Sequence, residues 1–299
     1  MRFYWLVGMM LVFAPTPGMA ATAADSCYTD DNSGNYTAAV QDCTTAINAN
    51  TKDEASYVNR CDAENGLGNF QAAVGDCTTA IALNAKDAVA YQNRCFANNN
   101  LANYDAALLD CAQAIALNPQ YEDAYVERCI ADFNMVNHGL ALDDCNQAIS
   151  LDPKDETAYF ERGSVYGFML NYTQSIADYT SAITLDPQDI DPVSDRCWDE
   201  AIIGQLQAAL SDCNTALKLI SNDADSLDSR GLAYLKLGQY ANAIADYTAS
   251  INSPPPQATS FYGRGMAELK SGNTVAGNAD IAAAVKTDPN IASRCSVTV

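Results

Sequence analysis

Small and apolar residues recur along the chain with a helical period and stop at regular points. Between Ala141 and Leu151 they fall at i, i+4, i+7 and i+8, along one stripe of a helix. Asp152-Pro153 follows, and proline disfavours the helical conformation in the residue before it, so the helix is expected to end there. Turn residues separate successive stripes, as in Gly66–Asn69. The pattern predicts an all-α protein of short helices joined by tight turns.

This pattern repeats with a fixed period. Asp42, Asp76 and Asp110 are 34 residues apart (76 − 42 = 34), and each precedes a Cys. An Arg series that includes Arg60 and Arg94 runs in step with them. Such a period predicts stacked two-helix units rather than a single globule. Eight copies are expected, near residues 20–53, 54–87, 88–121, 122–155, 156–189, 190–223, 224–257 and 258–291.

The repeated unit resembles the tetratricopeptide repeat (TPR) family. Residues 158–187 carry the resemblance well, with Glu161-Arg162-Gly163 in the first helix and Ala177-Asp178-Tyr179 in the second. The resemblance implies a right-handed superhelical solenoid whose first helices line a concave groove. It also implies a non-enzymatic scaffold for protein–protein contact. This chain departs from the family pattern because Cys replaces the usual small residue of the first helix and the usual aromatic residue of the second.

The chain has 11 Cys residues and a single His, which favours disulfides over zinc sites. Ten of the Cys lie at positions 8 and 24 of a repeat, and a repeat that lacks one also lacks the other, as with Gly163 and Tyr179. Pairing between neighbouring repeats, as in Cys43–Cys61, would strand four of them. We therefore predict disulfides within repeats, namely Cys27–Cys43, Cys61–Cys77, Cys95–Cys111, Cys129–Cys145 and Cys197–Cys213. Cys295 is left over, either as a tail thiol or for an intermolecular disulfide.

The first residues are typical of an export signal. Arg2 precedes an apolar run from Phe3 to Ala14, and small residues follow it. We predict a signal peptide over 1–23 with cleavage near 20–24, a solenoid over 24–291 and a tail over 292–299. The run is short for a membrane span, although a membrane anchor is the alternative. The mature protein is expected without stable membrane insertion, in the periplasm or outside the cell, where disulfides persist.

The excess of acidic residues limits the classes of partner that the protein can bind. There are 37 acidic and 16 basic residues, for a net charge of −21, which argues against nucleic acid because phosphate binding needs Lys and Arg. The resemblance to TPR proteins places several side chains in the groove. Those expected there are the acidic Asp123, Glu127, Glu161, Asp191, Asp195 and Asp225 and the aromatic Phe96 and Trp198. Such a groove favours a basic, partly apolar peptide or protein segment. The alternative is a solvated acidic face with purely structural packing.

Few residues of the sequence could act in catalysis or bind a metal. His138 is the single His, and neither a phosphate-binding loop nor a Cys-x-x-Cys motif is present. We predict no catalytic residue, no metal and no cofactor. Two other functions remain open: a hydrolase on a cysteine-rich helical repeat fold, of the β-lactamase type proposed for Sel1-like repeat proteins, and a small-ligand or glycan binder that uses Trp198.

Overall fold

The computed structural model describes residues 17–32 and 34–295, and all regular elements in these ranges are α-helices. The apolar run of the predicted signal peptide lies outside them. The helices are α1 (Pro17–Asn32), α2 (Tyr36–Ala49), α3 (Glu54–Gly66), α4 (Phe70–Leu83), α5 (Ala88–Asn100), α6 (Tyr104–Leu117), α7 (Glu122–Asn134), α8 (His138–Leu151), α9 (Glu156–Phe168), α10 (Tyr172–Leu185), α11 (Asp191–Ile203), α12 (Leu206–Leu219), α13 (Ala224–Lys236), α14 (Tyr240–Asn252), α15 (Ala258–Lys270), α16 (Thr274–Thr287) and α17 (Ile291–Cys295).

The helices pack as consecutive hairpins within two compact units, residues 1–140 and 141–299. In the first unit α1 packs on α2, α3 on α4 and α5 on α6. In the second unit α9 packs on α10, α11 on α12, α13 on α14 and α15 on α16. The first helices of successive hairpins also touch, as α3 touches α5 and α11 touches α13. Each unit therefore presents a surface built from first helices, and the predicted all-α solenoid class is confirmed.

Local sequence explains where the helices begin and turn. Asp87 and Asp155 precede first helices, and their side chains accept hydrogen bonds from the exposed N–H groups of the first turn. The turn inside a repeat needs a residue with positive φ, which Gly68 supplies at 74°. Val136 and Leu170 occupy the equivalent turn position of later repeats, with φ of 64° and 63°. A left-handed conformation costs such residues about 1–2 kcal/mol each. No helix in the described residues is long and apolar enough to cross a membrane.

The core between the helices is made of small residues. Ala73 and Ala97 are fully buried together with Cys61 and Cys77, and Phe70 packs against this cluster. Alanine at such positions lets helix backbones approach closely, so the units depend on close packing rather than on large apolar side chains.

Four of the predicted cysteine pairs lie with their sulfur atoms at bonding distance. Their Cα–Cα distances run from 4.8 to 5.6 Å, inside the range that disulfides require. All these cysteines are fully buried. Cys129 and Cys145 are buried as well but fall in different units, so their pairing stays a prediction. Cys295 is 8% exposed, and an intermolecular disulfide would need α17 to move away from α15.

The Arg and Asp series form ion pairs within repeats. The spacing alone does not show whether Asp76 pairs with Arg60 or with Arg94. Arg60 donates from Nε and Nη2 to the two carboxylate oxygens of Asp76, at 2.7 and 2.6 Å. Its remaining nitrogen, Nη1, donates to Thr44 Oγ1 of the preceding repeat at 2.9 Å. One guanidinium thus joins the two helices of its own hairpin and also holds the neighbouring hairpin.

Candidate functional site

The structure distributes the residues expected in the groove over first helices of both units. In the first unit Phe96 lies on α5, and Asp123 and Glu127 lie on α7. In the second unit Glu161 lies on α9, Asp191, Asp195 and Trp198 on α11, and Asp225 on α13.

The second unit has a depression on this surface, which we call the acidic groove. It consists of two adjoining cavities of about 110 and 210 Å³ that share Ser194, Asp195 and Asp225. Among the described residues, neither Lys nor Arg lines either cavity. The side chains that define the groove chemically are Phe160, Asp191, Asp195, Trp198, Asp223, Asp225 and Asp228. Five carboxylates and two aromatic rings thus share one concave surface.

Hydrogen bonds hold the carboxylates of the acidic groove in place. The Tyr179 hydroxyl donates to Asp195 Oδ2 at 3.3 Å, and Gln257 Nε2 donates to Asp225 Oδ1 at 2.5 Å. The Ser260 hydroxyl donates to Asp228 Oδ1. Because the donors come from α10, from α15 and from the residue before α15, the negative charges are fixed in direction, which favours recognition of a positively charged group.

Burial makes the charged form of these carboxylates costly. It raises the pKa of Asp195 to about 6 and that of Asp228 to about 6, and neighbouring aspartates add to both shifts. Burial and the charge of Asp189 also raise the pKa of Asp191. Since the groove walls carry no cation, a ligand with positive charge would stabilise the ionised carboxylates.

In the first unit the expected groove residues also take part in packing. Glu127 is 8% exposed, and its carboxylate accepts a hydrogen bond from Asn99 Nδ2 at 2.8 Å. Burial raises the pKa of Glu127 to about 7. The Phe96 ring meets Phe70 edge-on at 6.1 Å between centroids. Asp123 is exposed.

Sequence reasoning missed several residues of the acidic groove. Asp228 and Ser194 both occupy position 5 of a repeat, and the TPR resemblance assigns that position to the groove, so the signal was present. Asp223 and Gln257 precede the helices α13 and α15. No periodic pattern marks such loop residues, because their place depends on how neighbouring hairpins stack.

The hairpins define a tandem two-helix repeat protein. A family profile described as "Tetratricopeptide repeat" matches residues 156–189 and 224–256. These two segments and the shared fold of TPR structures support a TPR family protein. Comparison with curated proteins gives no match.

Solved structures share the fold. A TPR protein from Parabacteroides merdae aligns with a TM-score of 0.61 and 18% identity, over 84% of this chain and 99% of its own. The structure described as the APC/C hetero-tetramer Cut9-Hcn1 aligns with a TM-score of 0.69 and 13% identity, over 95% of this chain but 55% of that one. The structure of Pseudomonas aeruginosa pilF has a TM-score of 0.59 at 14% identity, over 68% of this chain and 92% of that chain. At these identities the likeness concerns the fold alone.

Proposed function

We propose that the protein is a non-enzymatic scaffold that binds a basic, partly apolar segment of another protein in the acidic groove. The observation that carries the proposal is the concentration of Asp191, Asp195, Asp225 and Asp228 beside Trp198 without a lining cation. TPR repeats and TPR-protein neighbours support a role in protein–protein interaction. The negative charges of the acidic groove add a preference for a positively charged partner.

Desolvation of Asp195 and Asp228 favours binding of a positively charged group. A buried carboxylate without a counter-ion is unfavourable, and a Lys or Arg side chain that enters the groove removes this penalty. Trp198 and Phe160 offer apolar surface for the rest of the segment. Charge supplies the preference for a basic partner and apolar contact supplies affinity.

The compartment is part of the proposal. Cys61 and Cys77 are placed for a disulfide inside a fully buried core, and so are three further pairs. Such bonds persist in oxidising surroundings. The proposed site of action is therefore the periplasm or the extracellular space.

Binding to a peptide library tests the proposal. Fifteen-residue peptides of varied net charge, measured by fluorescence anisotropy, are expected to bind in order of positive charge and to weaken with added salt. Asp225→Asn should reduce the affinity of the best peptide about tenfold. Asp143→Asn, an exposed residue of the second unit outside the groove, removes the same charge and should leave affinity unchanged. Binding that ignores peptide charge would overturn the proposal.

A further inference from the structure

We propose that Asp199 and Glu200 form a pH switch in α11: when both are protonated the helix packs against its neighbours, and when they ionise this packing opens. The two residues are adjacent in the second half of α11, next to Trp198 of the acidic groove. The inference concerns how α11 packs on its neighbours, so it does not depend on a bound partner.

Asp199 occupies a position at which other repeats have a small apolar residue. The equivalent residues are all fully buried, and five of them are alanines: Ala63, Ala97, Ala131, Ala233 and Ala267. Asp199 is itself 4% exposed, and its Oδ2 atom is buried without a hydrogen-bond partner among the described residues. A carboxyl group thus lies where other repeats have a methyl group, and burial there disfavours its charged form.

Gly167 on α9 leaves the room for this carboxyl group. A β-carbon at residue 167 would lie 3.5 Å from Asp199 Oδ2 and 3.2 Å from Ser175 Oγ. The Ser175 hydroxyl donates to the Gly163 carbonyl at 2.8 Å, so its single hydrogen is already used. An ionised Asp199 therefore receives no hydrogen from this hydroxyl.

Glu200 lacks the partner that a counterpart in another repeat has. Asp132 occupies the same repeat position, and its carboxylate accepts from the side chain of Asn137, the residue before the second helix, at 3.0 Å. The repeat near 190–223 has Gln205 instead of this Asn. Glu200 is 6% exposed, and its Oε2 atom is buried without a partner among the described residues. Two adjacent residues of α11 thus each have a buried, unsatisfied carboxyl oxygen.

The titratable groups that interact with Asp199 include no cation among the described residues. They are Asp195 and Glu200 on α11 and Tyr172 and Tyr179 on α10. On α9 the adjoining residue is the uncharged Gly167. Burial raises the pKa of Asp199 to about 7 although the Ser175 hydroxyl lowers it, and the charge of Asp195 adds to the increase. The packed helix therefore favours the protonated form.

Glu200 has a cation nearby, Arg196 on the same helix, but this guanidinium already binds both carboxylate oxygens of Asp212 on α12, at 2.6 and 3.0 Å. Burial raises the pKa of Glu200 to about 7, the charge of Asp212 adds to the increase, and Arg196 opposes it. On α13 the ammonium of Lys236 donates to two backbone carbonyls at the end of α11, at 3.0 and 2.9 Å. These two cations thus have other partners.

Ionisation of the two carboxyl groups should open the packing of α11. In water the carboxyl groups of Asp and Glu ionise at about pH 4, so an open α11 releases protons that the packed helix holds up to about pH 7. The equilibrium therefore shifts toward the open state as the pH rises from 5 to 7, and it changes little at higher pH. Because α11 also carries Asp195 and Trp198, its opening would alter the acidic groove.

Hydrogen exchange of the full-length protein at pH 5.5 and 7.5 tests the switch. After correction for the intrinsic pH dependence of exchange, the protection of the α11 amides should fall at least about tenfold over this interval, and that of the α16 amides much less. In the double variant Asp199→Asn with Glu200→Gln, which keeps the size of both side chains, the fall should be at least about fivefold smaller. A second double variant has Asp199→Ala, the residue of five other repeats, and should behave alike. Asp143→Asn, an exposed residue of the same unit, should behave as the natural protein does.

Two results would overturn the switch. One is a fall in α11 protection that both double variants retain in full. The other is an equal fall in α11 and α16 of the natural protein, because that would show global unfolding rather than opening of one helix. Either result leaves the proposed function in place. Library peptides that bind without regard to charge would overturn the proposed function and leave the switch in place.

Discussion

Gly163 lies so close to the ring of Tyr179 that a β-carbon at residue 163 would approach Tyr179 Cε1 to 2.8 Å. The two residues occupy the positions that cysteines hold in other repeats. Gly231 and Tyr247 make the same pair in a later repeat, at 3.0 Å. In these repeats the space between the two helices of a hairpin is therefore filled by a large ring that a glycine accommodates, where other repeats have a cysteine pair.

This packing predicts that Gly163→Ala destabilises the protein. Tyr179 is 3% exposed, so its ring has no room to move, and overpacking costs about 1–3 kcal/mol. Gly75→Ala is the matched control, because a β-carbon there meets nothing within 4 Å. The control should stabilise by about 0.5–1 kcal/mol through helix propensity. Urea unfolding measures both changes, and equal effects of the two substitutions would contradict the packing account.

The Arg–Asp pairs should stabilise the stacking of neighbouring hairpins. Arg230 bonds both oxygens of Asp246 and also Asn214 Oδ1 of the preceding repeat at 2.7 Å. Arg230→Ala leaves Asp246 buried without its counter-ion, and we expect a loss of about 1–3 kcal/mol in unfolding free energy. A double-mutant cycle with Asp246→Asn should give a coupling energy of about 1 kcal/mol or more. Additive effects of the two changes would show that the pair contributes nothing beyond its separate residues.

The sequence predicts the helices and the repeat because both follow from periodicity. It does not predict which of two arginines meets an aspartate, since Arg60 in the same repeat as Asp76 and Arg94 in the next repeat lie at similar separations from it along the chain. That choice depends on the direction of side chains across the hairpin. Nor does it predict that Leu170 takes a positive φ, because neighbouring helices impose this conformation against the preference of leucine.

Burial of Glu127 predicts a pH-dependent stability. Its pKa is raised from 4.5 to about 7 by burial, so between these values the folded protein holds a proton that the unfolded chain has lost. The free energy of unfolding should therefore fall as pH rises from 5 to 8. Asp199, with a pKa raised to about 7 by burial, acts in the same direction.

Glu127→Gln tests this effect directly. The amide oxygen can still accept from Asn99 and carries no charge, so the variant should be more stable than the natural protein at pH 8, by at most about 3 kcal/mol, and should match it near pH 5. Asp123→Asn, an exposed residue of the same helix, controls for the loss of one charge. Chemical denaturation at both pH values measures the difference. A variant that is less stable at pH 8 would contradict the prediction.

The cysteine pairs should contribute to stability as cross-links. Each closes a loop of 16 residues, and the chain-entropy model assigns about 3 kcal/mol to such a loop. Removing one pair by Cys61→Ala with Cys77→Ala should lower the unfolding free energy by about 2–4 kcal/mol under non-reducing conditions. With reductant present during unfolding, the two proteins should differ much less. Peptide mapping without reduction should recover cross-links between cysteines 16 residues apart, and links between neighbouring repeats would show the assignment to be wrong.

Part of the groove chemistry could be predicted and part could not. Asp195, Asp225 and Trp198 were expected from their repeat positions, and the structure places all three beside one cavity. Ser229 shares its repeat position with Asp195, so the resemblance places it on the same surface, but an uncharged side chain gave no reason to single it out. Glu127 shares its repeat position with Asp195 but bonds to Asn99, a residue of the preceding repeat. Equivalent positions thus diverge because the neighbouring hairpin supplies different partners.

Site-specific cross-linking tests the central claim, that the acidic groove holds a basic segment. A photo-reactive phenylalanine analogue is placed at Phe160 in the groove, or at Val275, which is 85% exposed on α16 away from it. Each protein is irradiated with the best basic library peptide and with an acidic peptide of equal length. We predict cross-links to the basic peptide from residue 160 and background levels from residue 275. Equal cross-linking from both positions, or equal yields with the acidic peptide, would contradict the account.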